Sequence, residues 1–171
     1  FVASFARPGG NVTGMYMLAT ELDAKRCELL LQALPKARAV GVLHPGAEWN
    51  LAHLQNCAAN HRVALRRSDV PGPAGYDATF AALREAKVDA ILVPARVRFF
   101  TDQRLIIAAA AKHRIPVMYE WGDMARAGGL MAYGPVRADM HLQIAQYVHN
   151  ILRGAQPAEM SVQQPTRLEL V

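Results

Sequence analysis

The chain has 171 residues, 52% of them hydrophobic and 19% charged, with a formal charge of +5, which suits one domain with a sizeable core. No stretch approaches 18 apolar residues without a charge, so no segment reads as a membrane-crossing helix. The basic residues are dispersed, with Arg66-Arg67 the sole arginine pair, which argues against the clustered stripe of a nucleic-acid surface.

In chain order, Phe1–Phe5 is short and apolar, and Arg7-Pro8-Gly9-Gly10-Asn11-Val12-Thr13-Gly14 follows as a turn. Neither a Lys-Ser/Thr pair nor a strand–GxGxxG–helix order accompanies those glycines, so the stretch reads as a turn rather than a phosphate loop. Asn11-Val12-Thr13 matches a glycosylation acceptor only in its short pattern. From Leu22 the spacing is helical. Leu22, Cys27, Leu30, Leu31 and Leu34 share a face, Lys25, Arg26 and Glu28 fall on the other, and Pro35 ends the helix. Val40–Leu43 is a short apolar run without polar alternation, the pattern of a strand buried on both faces. The loop His44–Asn50 follows, with Asn50 placed to cap a helix over Leu51–Asn60. Val63–Arg67 is the next strand. After the Pro71–Gly75 loop, Asp77 is placed to cap a helix running to Lys87. Ala90–Val93 is a strand stopped by Pro94, Thr101 or Asp102 caps Gln103–His113, and Ile115–Tyr119 and Gly129–Tyr133 are further strands. Asp139–Leu152 is amphipathic and ends at Gly154. Strands alternating with helices of this length predict an α/β three-layer sandwich with a mostly parallel, doubly wound, Rossmann-like sheet. Five parallel strands near 40–44, 63–67, 90–93, 116–119 and 129–133 are expected in one sheet.

Reactive chemistry is sparse. The six histidines are scattered without acidic partners at metal-ligand spacing, no serine stands in a Gly-x-Ser-x-Gly elbow, and no carboxylate pair suits acid–base work. The reading is therefore a binder rather than an enzyme, with no metal and no cofactor. Cys27 and Cys57 fall in predicted helices without CxxC spacing and read as small buried hydrophobes; whether they pair is open. In open α/β sheets the ligand crevice lies beyond the carboxyl ends of the strands. The loops there carry Trp49 and Asn50, Arg96 with Phe99 and Phe100, Glu120 with Trp121, and Tyr133 with Gly134. For an amino-acid solute, Asn50 at a helix start suits the carboxylate, Glu120 the ammonium, and Trp49 or Tyr133 the side chain. The expected ligand-binding residues are Trp49, Asn50, Arg96, Glu120, Trp121 and Tyr133.

Ala6–Gly14, the helix segment Lys25-Arg26-Cys27-Glu28-Leu29-Leu30, the block Gly128–Pro135, Ile151–Pro157 and Gln164–Val171 occur in one order along the chain. Together they resemble the ABC-transporter substrate-binding proteins of the tryptophan/tyrosine-binding type, which have the type I periplasmic binding protein fold. The resemblance implies two α/β lobes hinged by crossovers, with a small solute between them. It makes this chain a piece of a longer protein: a crossover segment over 1–14, the ligand-binding lobe over 15–134, and over 135–171 a helix and crossover strand that pack on the first lobe. It further implies a periplasmic or other extracytoplasmic location, a small-molecule solute, a membrane permease as partner, and no nucleic acid. The effector-sensing lobe of a transcription factor of the same fold is the second reading, and a small Rossmann-type enzyme the third. The family usually places an aspartate after the strand where Pro94-Ala95-Arg96 stands here, which shifts the expected solute towards a more anionic one. With the first lobe absent, the apolar side of Asp139–Leu152 is expected to dock on this lobe or to form a dimer through 139–152.

Overall fold

A computed structural model describes residues 1–44 and 51–171. The chain divides into two compact units, one of Phe1–Leu18 with Pro135–Glu169, the other of Ala19–Gly134 with Leu170–Val171.

The second unit is built on a sheet ordered β2-β1-β3-β4-β5-β6, from β1 (Ala39–His44), β2 (Ala64–Asp69), β3 (Ala90–Leu92), β4 (Val117–Tyr119), β5 (Met131–Pro135) and β6 (Leu168–Leu170). The first five run parallel, in the expected single sheet. β6 adds an antiparallel edge that the sequence reading did not place in the sheet: Ala132 and Val171 exchange both N–H···O=C bonds at 2.9 Å. The central strands β1, β3 and β4 are buried almost throughout, as expected of parallel strands covered on both faces.

Strand alternation sorts the core into two layers. Val40, Val42, Ala90, Leu92 and Met118 face the helices α1 (Ala19–Ala33) and α2 (Ala52–Asn60), meeting Cys27, Leu30, Leu31, Leu54 and Cys57. On the other side, a Cβ on Gly41 would meet Ile91, Val88 and Leu83 of α3 (Tyr76–Glu85), and α5 (Gln103–His113) packs beside α3. The three-layer α/β sandwich is thus as predicted.

Several local readings are corrected. Arg26 is fully buried rather than on the outer face of its helix. Asp77 lies inside the first turn of α3 instead of capping it, and its carboxylate accepts from Lys112 and His113 at 2.8 Å. Asp102 stands at the start of α5 but makes no side-chain cap; its carboxylate accepts the Tyr76 hydroxyl at 2.8 Å. Two five-residue helices, α4 (Val97–Thr101) and α6 (Gly122–Arg126), were not foreseen. Cys27 and Cys57 are buried, as read, but they are also joined in a disulfide that ties α1 to α2, with Cα atoms 6.5 Å apart.

In the first unit, the N-terminal segment and residues 155–163 are laced together by backbone bonds. Val162 donates to Phe5, Gln163 to Gly14 and Tyr16 to Gln163, at 2.7, 3.0 and 2.8 Å. The Thr13 hydroxyl donates to the Met160 carbonyl at 2.6 Å. Helix α7 (Arg137–Leu152) belongs to this unit, and Gly154, at φ +99°, closes it as foreseen: Ala155 N–H returns to the Asn150 carbonyl. In this single chain Met140 is buried, while Ile144, Val148 and Ile151 on the same helix are 44, 52 and 37% exposed. Among the described residues, no helix is long and apolar enough to cross a membrane.

Candidate ligand site at the carboxyl ends of the strands

The second unit gathers its buried charges at one end of the sheet. Glu120 directly follows β4, Tyr133 and Gly134 lie in β5, and Arg96 stands four residues past β3 at the start of α4. Asp23 and Arg26 reach the same place from α1 as an i,i+3 pair, both side chains fully buried, with Nη1 2.6 Å from Asp23 Oδ1. The Arg26 Nε donates to the Tyr133 carbonyl at 2.6 Å, joining α1 to the end of β5. Gly134 makes this approach feasible: a Cβ there would overlie the Glu120 carbonyl oxygen and stand 3.3 Å from Arg26 Nη2.

The electrostatics follow from burial. Asp23 has its pKa raised because burial outweighs the opposing pull of Arg26. Glu120 is pushed up to about 7, again by burial first, against the lowering effect of Arg26, Arg96 and a hydrogen bond from the Trp121 side chain. His53 on α2 is lowered, burial outweighing Asp23 and Glu21. Arg26 Nη2 and Asp23 Oδ2 have no hydrogen-bond partner among the described residues, so the pair is only partly satisfied within the protein.

The predicted residues fare differently. Arg96, Glu120 and Trp121 come together here. Trp121 is buried and meets Phe100 edge-on, ring centroids 6.4 Å apart. Tyr133 contributes its carbonyl to Arg26, while its side chain is half-buried against the core that includes Met118 and Leu30. Trp49 and Asn50, together with the loop from Pro45, lie outside the described residues. Asp23, Arg26, His53 and Gly134 were not among the expected site residues. One signal for Arg26 was present: Leu22, Arg26 and Leu30 are spaced by four, so the arginine sits on the apolar stripe itself.

The raised Glu120 gives a pH prediction. Its unfolded value is near 4.5 and its folded value about 7, so the folded state binds more protons in that window and stability is lost as pH rises through it. Glu120→Gln mimics the protonated form at every pH. Wild type should therefore lose up to about 3 kcal/mol relative to this variant between pH 4.5 and pH 8. Urea unfolding of both proteins at several pH values reads the difference directly, and parallel curves refute it.

The sequence profile of the family described as ABC transporter substrate binding protein matches residues 1–171. The chain belongs to this family. A domain protein of Vibrio cholerae is 26% identical with a TM-score of 0.84, over 99% of this chain and 58% of that one. An ABC domain of Streptococcus pneumoniae in complex with L-Trp is 22% identical, with a TM-score of 0.81 over 99% of this chain and 59% of that one. A ligand-free, open substrate-binding protein with adhesive properties from Clostridium difficile is 22% identical, with a TM-score of 0.67 over 99% of this chain and 58% of that one. The chain thus spans under three-fifths of the length of these structures. No curated protein matches it significantly.

Proposed function

We propose that this substrate-binding family member is the ligand-binding lobe of the solute-binding component of an ABC importer, holding a small amino-acid-like solute, aromatic or branched, at the carboxyl ends of β3, β4 and β5. The observation that carries the reading is the juxtaposition there of Arg96, Glu120 and the Phe100–Trp121 pair: charged groups for a polar head beside an aromatic wall. A protein of the same fold carries L-Trp, which supports an amino acid as the class. The protein binds and releases its solute unchanged, hands it to a membrane permease, and works outside the cytoplasm. The Cys27–Cys57 disulfide fits an oxidising compartment. Each lobe of such a protein supplies part of the contact surface, so affinity belongs to the full-length chain, and this fragment binds weakly or not at all.

Calorimetry on the full-length protein with a panel of L-amino acids tests the reading. Aromatic or branched members are expected to bind and to be recovered unaltered. Failure of every amino acid and of every related small acid overturns it.

A further inference from the structure

On the α5 face of the sheet lies a cavity of about 410 Å³, walled by α5, the entry to β4 and the residues that lead into β5. Its volume falls in the range of small-molecule pockets. Ile107, Ala111 and Arg114 line it from α5 and its C-cap, and Gly128, Gly129 and Leu130 line it from the segment before β5. Apart from Arg114 and Tyr119, the lining is apolar or glycine. The glycine wall is main chain laid directly on the Tyr119 ring: a Cβ on Gly129 would stand 2.5 Å from Tyr119 Cε2 and 2.8 Å from the Met124 carbonyl oxygen.

Tyr119 supplies the polar feature. Strand alternation turns its ring to this face, since Met118 beside it packs towards α1 and α2. The residue is 0% exposed, yet its hydroxyl has no hydrogen-bond partner among the described residues. Buried phenols ordinarily find a partner, and one left without costs free energy. Burial also pushes the phenol pKa up, so the group stays a neutral donor at any ordinary pH. Arg114 is exposed and is the one charged residue of the lining, which places a cation at the rim. An apolar wall, an unused buried donor and a guanidinium at the rim suit a compact apolar body that carries anionic oxygen.

We infer that this cavity is a second small-molecule site, separate from the one at the carboxyl ends of the strands, that takes a compact apolar carboxylate between Tyr119 and Arg114. The Tyr119 hydroxyl donates to a carboxylate oxygen, Arg114 supplies the opposite charge, and Ile107 and Leu130 cover the hydrocarbon part. A molecule held there bridges α5 to the segment that enters β5.

The test is calorimetry on the full-length protein with benzoate, benzamide and benzylamine, three probes of one shape that differ in charge and in acceptor oxygen. Benzoate is expected to bind with a Kd of roughly 0.1–1 mM, the range open to a molecule of about nine non-hydrogen atoms. Benzamide should be weaker by about three- to tenfold, and benzylamine, a cation without an acceptor, should give no heat of binding. Ala111 is exposed, so Ala111→Phe should leave the fold intact while filling the cavity and abolishing benzoate binding. Tyr119→Phe should weaken benzoate by about tenfold or more, the scale of a hydrogen bond to a charged group. The same variant, without ligand, should unfold at an equal or higher temperature, because it gives up no hydrogen bond. Arg114→Gln should bring benzoate down to the affinity of benzamide. Benzoate binding that persists in Ala111→Phe takes place elsewhere on the protein and overturns the inference. So do absent benzoate binding, benzylamine bound as tightly as benzoate, or a lowered unfolding temperature of Tyr119→Phe, which would show a hydroxyl already partnered. None of these outcomes touches the amino-acid panel, which decides the proposed function by itself.

Discussion

Arg26→Met is expected to destabilise the protein by roughly 3–5 kcal/mol, the scale for removing one partner of a buried ion pair. The variant leaves Asp23 fully buried with its nearest cation gone, and it also removes the donor to the Tyr133 carbonyl. Methionine fills most of the arginine's volume, so the loss reports charge and hydrogen bonding rather than an empty cavity. The double variant Asp23→Asn/Arg26→Met should recover a large part of that loss, because no uncompensated carboxylate remains. Urea unfolding of wild type, both single variants and the double variant completes the cycle. Strict additivity would show that the two side chains do not act as a pair.

Gly134→Ala should be the most damaging single-methyl change at the site. Its Cβ would meet the Glu120 carbonyl oxygen, which is main chain, and close on Arg26 Nη2. Neither neighbour can yield cheaply, since β4 and β5 are paired at Tyr119 and Ala132 and the arginine is held at two points. A loss of about 3 kcal/mol is expected, the upper range for overpacking, accompanied by weaker solute binding because Glu120 and Arg26 must part. Gly10→Ala, with nothing within 4 Å of its Cβ, is the control and should leave the unfolding midpoint almost where it was. Equal midpoints for the two variants would refute the close approach.

The contrast between what was and was not legible in the sequence has a physical basis. Val40–Leu43 and Ala90–Val93 announced buried parallel strands because their apolar runs lack alternation, and their alternation with helices placed them in one doubly wound sheet. Helices α4 and α6, with five residues each, are too short to show a period. Arg26 was read as solvated by its charge, although its spacing from Leu22 and Leu30 placed it inwards. Gly134 was noticed only as Tyr133's neighbour; its need to be glycine arises from the backbone at Glu120, and sequence spacing carries no trace of such a contact. The Cys27–Cys57 bond joins residues 30 apart, with no motif to signal it. That Arg96, Glu120 and Trp121 lie together was legible because each follows a strand end, the place where the fold class gathers its loops.

The disulfide has a practical bearing on how this protein is made. Cys27 is the residue after Arg26, so the covalent tie between α1 and α2 also steadies the helix turn that carries the buried cation. Material produced in a reducing cytoplasm keeps both thiols free and relies on packing alone to hold α2, giving up a link of the kind typically worth about 2–4 kcal/mol. Two preparations of identical sequence, one secreted and one cytoplasmic, are then different chemical species, and affinities measured on them are comparable only after the free thiols have been counted.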